Sequence, residues 1–323
     1  MKISLLLVGI LIATLIISLA TSSSNRIAYA HTFSESENAL FLTLVHQIEA
    51  QTSLAQINFP TNPKLAEQHA NAAIDLLNQD DPVVNLTWTS QISERNPRIA
   101  NELTSALNSL KSDTSVSQSK PISNNVASDS ENNIKTKVDM ISGLLAEAVS
   151  SRLTKEQVNN STTQALVLAN LTNEVYFSYG RALGQSQSAM TNMAGMTMSV
   201  KEASSSPSSP TNMSTNMSLS NNHAGMNTHM AMTNSNNNNI KNMTEYQTAQ
   251  ALTSKAVEVF NKNLKSTAPT NLKTTNTEIE NDVNQLKAAI DNKAPFMDIM
   301  KIVHIQIHPT LITAYHLQLK SFQ

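Results

Sequence analysis

Apolar residues recur at helical spacing along most of the chain. Phe33, Leu40, Phe41, Leu44, Val45 and Ile48 form one stripe over residues 34–57, and Ser34 with Glu37 is spaced as an S-x-x-E capping box. Asn58-Phe59-Pro60 breaks that pattern. Thr61-Asn62-Pro63 then supplies a cap and a first-turn proline, so a second helix is expected to about Asn78, where Asp80-Asp81-Pro82 ends it. A stretch around Trp88 leads into a helix over about 97–111, opened by Asn96-Pro97. Residues 112–132 carry no apolar period and read as a polar linker. Helices are expected at 133–152, with Met140, Ile141, Leu144, Leu145 and Ala148, and at 155–183, with Leu166, Val167, Leu171 and Val175. Three more follow at about 244–266, 272–291 and 295–320, the last interrupted at Pro309, whose ring and missing N–H disturb the bond to the Ile305 carbonyl. No strand-like alternation occurs, so the expected fold is all-α, a bundle of about eight helices.

Between the two helical parts, 31–184 and 244–323, the pattern stops. From 185 to 243 the chain is mostly Ser, Asn, Thr and Met and lacks the aliphatic surface to offset the entropy of ordering, so a disordered insert is expected there. The second helical part is too short to bury three amphipathic helices well by itself. A single bundle built from both sides of the insert is the expected architecture.

The first thirty residues have the layout of an export signal. Lys2 precedes an uncharged, mostly apolar run from Ile3 to Ala20, and a polar stretch ends in Ala28-Tyr29-Ala30, an A-x-A cleavage site. Uncleaved, the run is near the lower length limit of about 18 residues for a membrane anchor. The expected location is the cell envelope, outside the cytoplasm. N-x-[ST] triplets at Asn85, Asn159, Asn160, Asn170, Asn212, Asn216 and Asn242 are compatible with a glycosylated exterior.

Composition narrows the chemistry. A net charge of −2 with 14% charged residues gives no nucleic-acid footprint. The absence of cysteine excludes disulfides, thiolate zinc sites, iron–sulfur clusters and cysteine nucleophiles. With 6 glycines and no GxGxxG, GxxxxGK or GxSxG string, phosphate-cradling loops and nucleophile elbows find no support. Neither a nucleophile–base pair nor a carboxylate pair at a helical core is legible, which leaves an enzyme the least supported class.

Methionine is what stands out. Of the 14 methionines, 10 lie between Met190 and Met243, in a window without aromatic residues. Met190, Met193, Met196 and Met198, then Met213 and Met217, then His223, Met226, His229, Met230 and Met232 recur every one to four residues within a group. A thioether is a neutral soft ligand that binds Cu(I) without losing a proton, and imidazole extends the range to Cu(II). A second soft patch lies on the last helix, MDIMKIVHIQIHP. At about 100° per residue, Met297, Met300, His304 and His308 fall within about 80° of one another, on the flank of Phe296, Val303, Ile307 and Leu311. Two His at i, i+4 can hold one metal from one helix face, although boundary histidines bonded to neighbouring helices would have the same spacing.

His69 sits in the stripe of Leu65, Ala72, Ala73 and Leu76 and is expected to face the core, either as a structural residue or as a third ligand meeting His304 and His308. His31 becomes the first residue after cleavage, where its α-amine and ring could clip Cu(II) as in a histidine brace, the one enzymatic route left open. The leading expectation is an exported protein that captures, stores or transfers copper through Met and His and hands the metal ion to an envelope protein or membrane complex. The alternatives are a metal-independent helical interaction module at the cell surface and a bundle holding b-type haem through Met and His.

The segments AYA-HTFSESENALFLTLVHQIEA, AEQHANAA, ISERNPRIA and IVHIQIHPTLITAYHLQLK resemble a group of uncharacterised exported helical proteins of ammonia-oxidising archaea. The resemblance covers both helical parts and not the insert. It implies an envelope location in a copper-dependent organism and brings no established activity or ligand.

Overall fold

The computed structural model describes residues 36–82, 84–116, 124–191, 239–267 and 269–318. The export segment, His31, Met193, Met196, Met198, His223, Met226, His229, Met230 and Met232 lie outside the described residues. Those described are helical with no strand among them, and an isolated antiparallel bridge joins Asp80 to Thr87.

Helix α1 (Glu37–Asn58) is capped by Ser36, whose hydroxyl accepts from Ala39 N–H. The cap is thus Ser36 rather than Ser34, and Glu37, in the first turn, pairs with Arg152 instead of closing a capping box. Helix α2 (Pro63–Asn78) starts as expected, with Asn62 as cap and proline in the first turn. The Trp88 stretch is a helix of its own, α3 (Trp88–Arg95), capped by Thr87.

Helix α4 (Pro97–Val116) and helix α5 (Asn124–Arg152) consume most of the expected 112–132 linker. Tertiary contacts override the polar composition: Asn133 Nδ2 donates to Asp113 at 2.6 Å, Lys137 pairs with Asp113, and Ser115 Oγ donates to Glu67 at 2.8 Å. The expected 155–183 helix divides into α6 (Lys155–Val158), closed by a Thr154/Gln157 capping box, and α7 (Ser161–Ala182), capped by Asn160.

Helix α7 is the hub. Every residue from Thr163 to Gly180 is buried, because neighbours cover it on all sides. Its partners include α1 and α8 (Met243–Val259), which continues as a π-helical turn over Phe260–Leu264. Helix α9 (Lys273–Asp291) packs on α8. The final segment comprises α10 (Phe296–Lys301), a π-helical stretch (Ile302–Ile307) and α11 (His308–Tyr315). It ends at Tyr315 rather than near residue 320, because His316 turns left-handed (φ 53°) and Leu317 N–H closes back on Ile312.

Buried residues from before and after the insert belong to one apolar cluster. Polar contacts stitch the same seam: Gln51 Nε2 donates to Thr248 at 3.1 Å, and Asn58 Nδ2 donates to Gln247 at 2.8 Å. Lys255 on α8 reaches Glu49 on α1 at 2.9 Å. Burial alone would raise the Glu49 carboxyl, but His46 and Lys255 outweigh it and hold its pKa at about 2.

The ordered chain runs past residue 185, where the insert was expected to begin. Gln185 N–H bonds the Gly180 carbonyl and Gly184 N–H that of Arg181, a Schellman closure in which Gly184 takes φ 79°. A short helix over 187–191 follows and buries Met190 completely. Where the chain returns, Lys241 and Asn242 N–H both donate to the Ala182 carbonyl, at 2.8 and 3.1 Å. One helix end therefore anchors both the departure and the return of the Met-rich stretch. Asn242 then caps α8, and its Oδ1 accepts from Glu245 N–H.

Candidate functional site

The π-helical stretch sets the geometry of the last helix. Proline at 309 has no N–H to offer the Ile305 carbonyl, and its ring would press on that group. The helix widens just before it, and His308 N–H bonds the Val303 carbonyl five residues back. An i→i+5 turn holds more residues than an α-turn, so each advances by less than about 100°. By residue 308 the accumulated lag turns the flank inward.

The two histidines are accordingly buried side by side, with ring centroids 5.1 Å apart and planes at 86°. The methionines part company: Met300 is 4% exposed and packs in the core, whereas Met297 is 37% exposed and leaves the patch. Both precede the wide turn, so the plain α-helical angle decides them. Met297 falls well off the Phe296/Ile299/Val303 direction.

His308 Nε2 lies 3.2 Å from the Ala169 carbonyl and 3.2 Å from Thr172 Oγ1. A carbonyl only accepts, so Nε2 carries the proton and, in the neutral ring, Nδ1 carries the lone pair. His304 meets Tyr176 edge to face at 4.7 Å, and Tyr176 stacks on Phe296 at 4.9 Å. The Tyr176 hydroxyl donates to the Met190 carbonyl at 2.9 Å. Burial pushes that phenol well above its ordinary range.

Gly180 completes this packed cluster. A Cβ there would stand 2.1 Å from Met190 Sδ and 3.0 Å from the Phe296 ring, so the thioether occupies the space that glycine leaves. Tyr176, Phe296 and Met190 therefore surround the histidine pair's end of α7. Sequence reasoning missed this aromatic wall. Tyr176 and Gly180 are four apart on one helix face, and that spacing was the available signal.

His69 is buried as expected but does not join the pair. Its Nδ1 lies 2.7 Å from Gln51 Oε1 and its Nε2 2.9 Å from Gln247 Oε1, so both nitrogens are engaged by amides of α1 and α8. Burial lowers its pKa, with the Gln247 contact acting the other way. Among the described residues no group of three or more His, Asp or Glu is arranged to hold a metal ion. The bundle thus supplies two adjacent imidazoles, and the expected third ligand from His69 is withdrawn by its own hydrogen bonds.

The triplet at Asn170 is ill placed for a glycan, because that side chain is buried. Asn160 and Asn242 spend their side-chain oxygens as helix caps. Among the described residues no helix is long and apolar enough to cross a membrane.

A second polar feature lies between α1, α7 and the 79–88 loop. Glu174, on the buried hub helix, is 5% exposed, and burial raises its carboxyl pKa. It lines a cleft with Thr43, Gln47, Asn170, Asp80 and Trp88. The stretch ALVLANLTNEVYF places this acid among apolar neighbours at helical spacing, a signal that sequence reading passed over.

Compared with known protein families, with curated proteins and with solved structures, the chain matches none of them.

Proposed function

We propose that this is an exported copper-binding protein whose Met- and His-rich stretch between the two helical parts captures Cu(I) for storage or transfer. The observation that carries this reading is the clustering of 10 thioethers with His223 and His229 in a stretch that leaves the bundle past the Gly180 and Arg181 carbonyls and returns on the Ala182 carbonyl, all at one end of α7. Neutral sulfur and imidazole ligands suit a soft monovalent ion and need no deprotonation. Closing the stretch at one helix end raises the concentration of its ligands around one another and around the end of α7. Met190, the first thioether of the series, is seated beside the Tyr176–His304–His308 ring cluster. His304 and His308 would be the bundle's contribution, as two imidazoles on one helix. Envelope location rests on the Ala28-Tyr29-Ala30 site and on the likeness to exported archaeal proteins, and a copper-accepting envelope partner follows from it.

The test is Cu(I) competition against a chromogenic chelator, using the mature chain and a variant in which residues 192–238 are replaced by a short Gly/Ser linker. The variant keeps the Met190 and Lys241 anchors. The expected result is a clear fall in the number of Cu(I) ions bound while the helical circular dichroism is retained. Equal stoichiometry in the two proteins would overturn the capture role.

A further inference from the structure

The cleft beside Glu174 has a chemistry that copper handling does not use. Its polar lining comprises the carboxyls of Glu174 and Asp80, the amides of Gln47, Gln79 and Asn170, and the Thr43 hydroxyl. Lys, Arg and His are absent from that lining. Trp88, Leu40, Leu44 and Pro82 form an apolar side, and the cavity itself measures about 30 Å³, the size of a head group rather than of a whole molecule.

Glu174 is buried in that lining, and its Oε1 has no hydrogen-bond partner. A buried acceptor left unmatched is costly and is found where something else completes it. The loop that forms the mouth is built rather than loose: Asp81 N–H bonds Leu86 at 2.8 Å, and Gln91 Nε2 donates to Asp81 Oδ2 at 2.9 Å. Asp81 is thereby turned inward, and Asp80 is left exposed at the rim.

We propose that this cleft binds the primary ammonium group of a small organic molecule. The ammonium donates to Glu174 Oε1, with the Asn170 and Gln47 amides and the Thr43 hydroxyl as flanking acceptors. Asp80 supplies a second negative charge at the mouth, where the rest of the molecule lies along Trp88 and Pro82. The acceptor-rich lining selects a cation, and the need of Glu174 for a donor selects one that carries N–H groups. The apolar side favours an organic ion over a hydrated metal, which would ask for oxygen ligands all around.

Other charges acting on Glu174 are Arg181 and Glu245, of opposite sign, so its proton balance is governed mainly by burial. A cation in the cleft favours the ionised carboxylate, so binding releases a proton wherever Glu174 is protonated beforehand.

Isothermal titration of the mature protein with n-butylammonium tests this, alongside tetramethylammonium and Ca²⁺. The expected result is saturable n-butylammonium binding and at least tenfold weaker binding of tetramethylammonium. Glu174→Gln is expected to weaken n-butylammonium at least tenfold, and Asp80→Asn, at the exposed rim, to weaken it by a smaller factor. Both variants are checked for unchanged helical content. Undiminished binding in folded Glu174→Gln, a preference for Ca²⁺ or tetramethylammonium, or no saturable binding at all would each overturn the proposal.

Discussion

Replacing Gly180 by alanine tests how the start of the Met-rich stretch is held to the bundle. In an exposed helix this exchange would stabilise by about 0.5–1 kcal/mol through backbone entropy alone. Here the new Cβ would lie 2.1 Å from Met190 Sδ and 3.0 and 3.2 Å from two Phe296 ring atoms. The sulfur cannot stay. Expelling a fully buried methionine forfeits about 1.5–3 kcal/mol of burial, and crowding the Phe296 ring adds about 1 kcal/mol. The net expectation is destabilisation of about 2 kcal/mol, together with release of residues 186–191 from the end of α7.

Urea melts give the first quantity, and amide hydrogen exchange at residues 186–191 gives the second. Met190→Ala supplies the control, because it removes the sulfur and leaves the glycine in place. In that background Gly180→Ala is expected to be close to neutral or stabilising, so the two changes should couple by roughly 2 kcal/mol in a double-mutant cycle. A coupling near zero would refute the reasoning. So would an unchanged exchange rate at 186–191 in Gly180→Ala.

Three further predictions concern buried polar groups and a cap. His69 has a lowered pKa, so the unfolded chain takes up its proton first; stability is complete above about pH 6.5 and falls as pH drops from there toward the folded value. His69→Leu should cost about 2 kcal/mol at pH 7.5 by taking away the ring partner of Gln51 Oε1, Gln247 keeping Asn58, and should flatten that decline; an equal slope in both proteins between pH 7.5 and 5 refutes it. Glu174 has a raised pKa, so its penalty is absent below about pH 4.5 and appears as pH rises through the folded value. Glu174→Gln should therefore stabilise the ligand-free protein by about 1–3 kcal/mol at pH 8 and by little at pH 4, as read from denaturant melts. Asn242→Ala removes the α8 cap where the chain returns to the bundle and should cost about 1 kcal/mol, with faster exchange at Met243–Glu245 than elsewhere in α8.

The chain's own pattern was enough to place most of its helices, though not all of their bounds. Proline in the first turn after Asn62 and Asn96 fixes two helix starts by local stereochemistry, and the apolar spacing of 155–183 marks a helix whatever it packs against. The Met/His clustering, and the exclusion of thiol chemistry by the lack of cysteine, are also sequence properties.

Where those helices meet is a different kind of information. Nothing local to Ser115, Asn133 or Lys137 says that they contact Glu67 and Asp113, so the polar 112–132 stretch read as a linker although packing makes much of it helix. The sequence favours a structural role for His69 over a ligand's, and Gln51 and Gln247, from two other helices, decide it by engaging both ring nitrogens. The inward turn of His308 depends on a π-helical lag that regular periodicity does not contain, and the same regular periodicity correctly separates buried Met300 from exposed Met297 once the core direction is known. The boundary of the Met-rich stretch moved for the same reason. Met190 belongs by composition to the stretch that follows it, and it is fixed to the bundle because Gly180, ten residues earlier, leaves a space of the right size. Periodicity is written in neighbours along the chain, whereas partners are chosen by surfaces that become neighbours only when the helices pack.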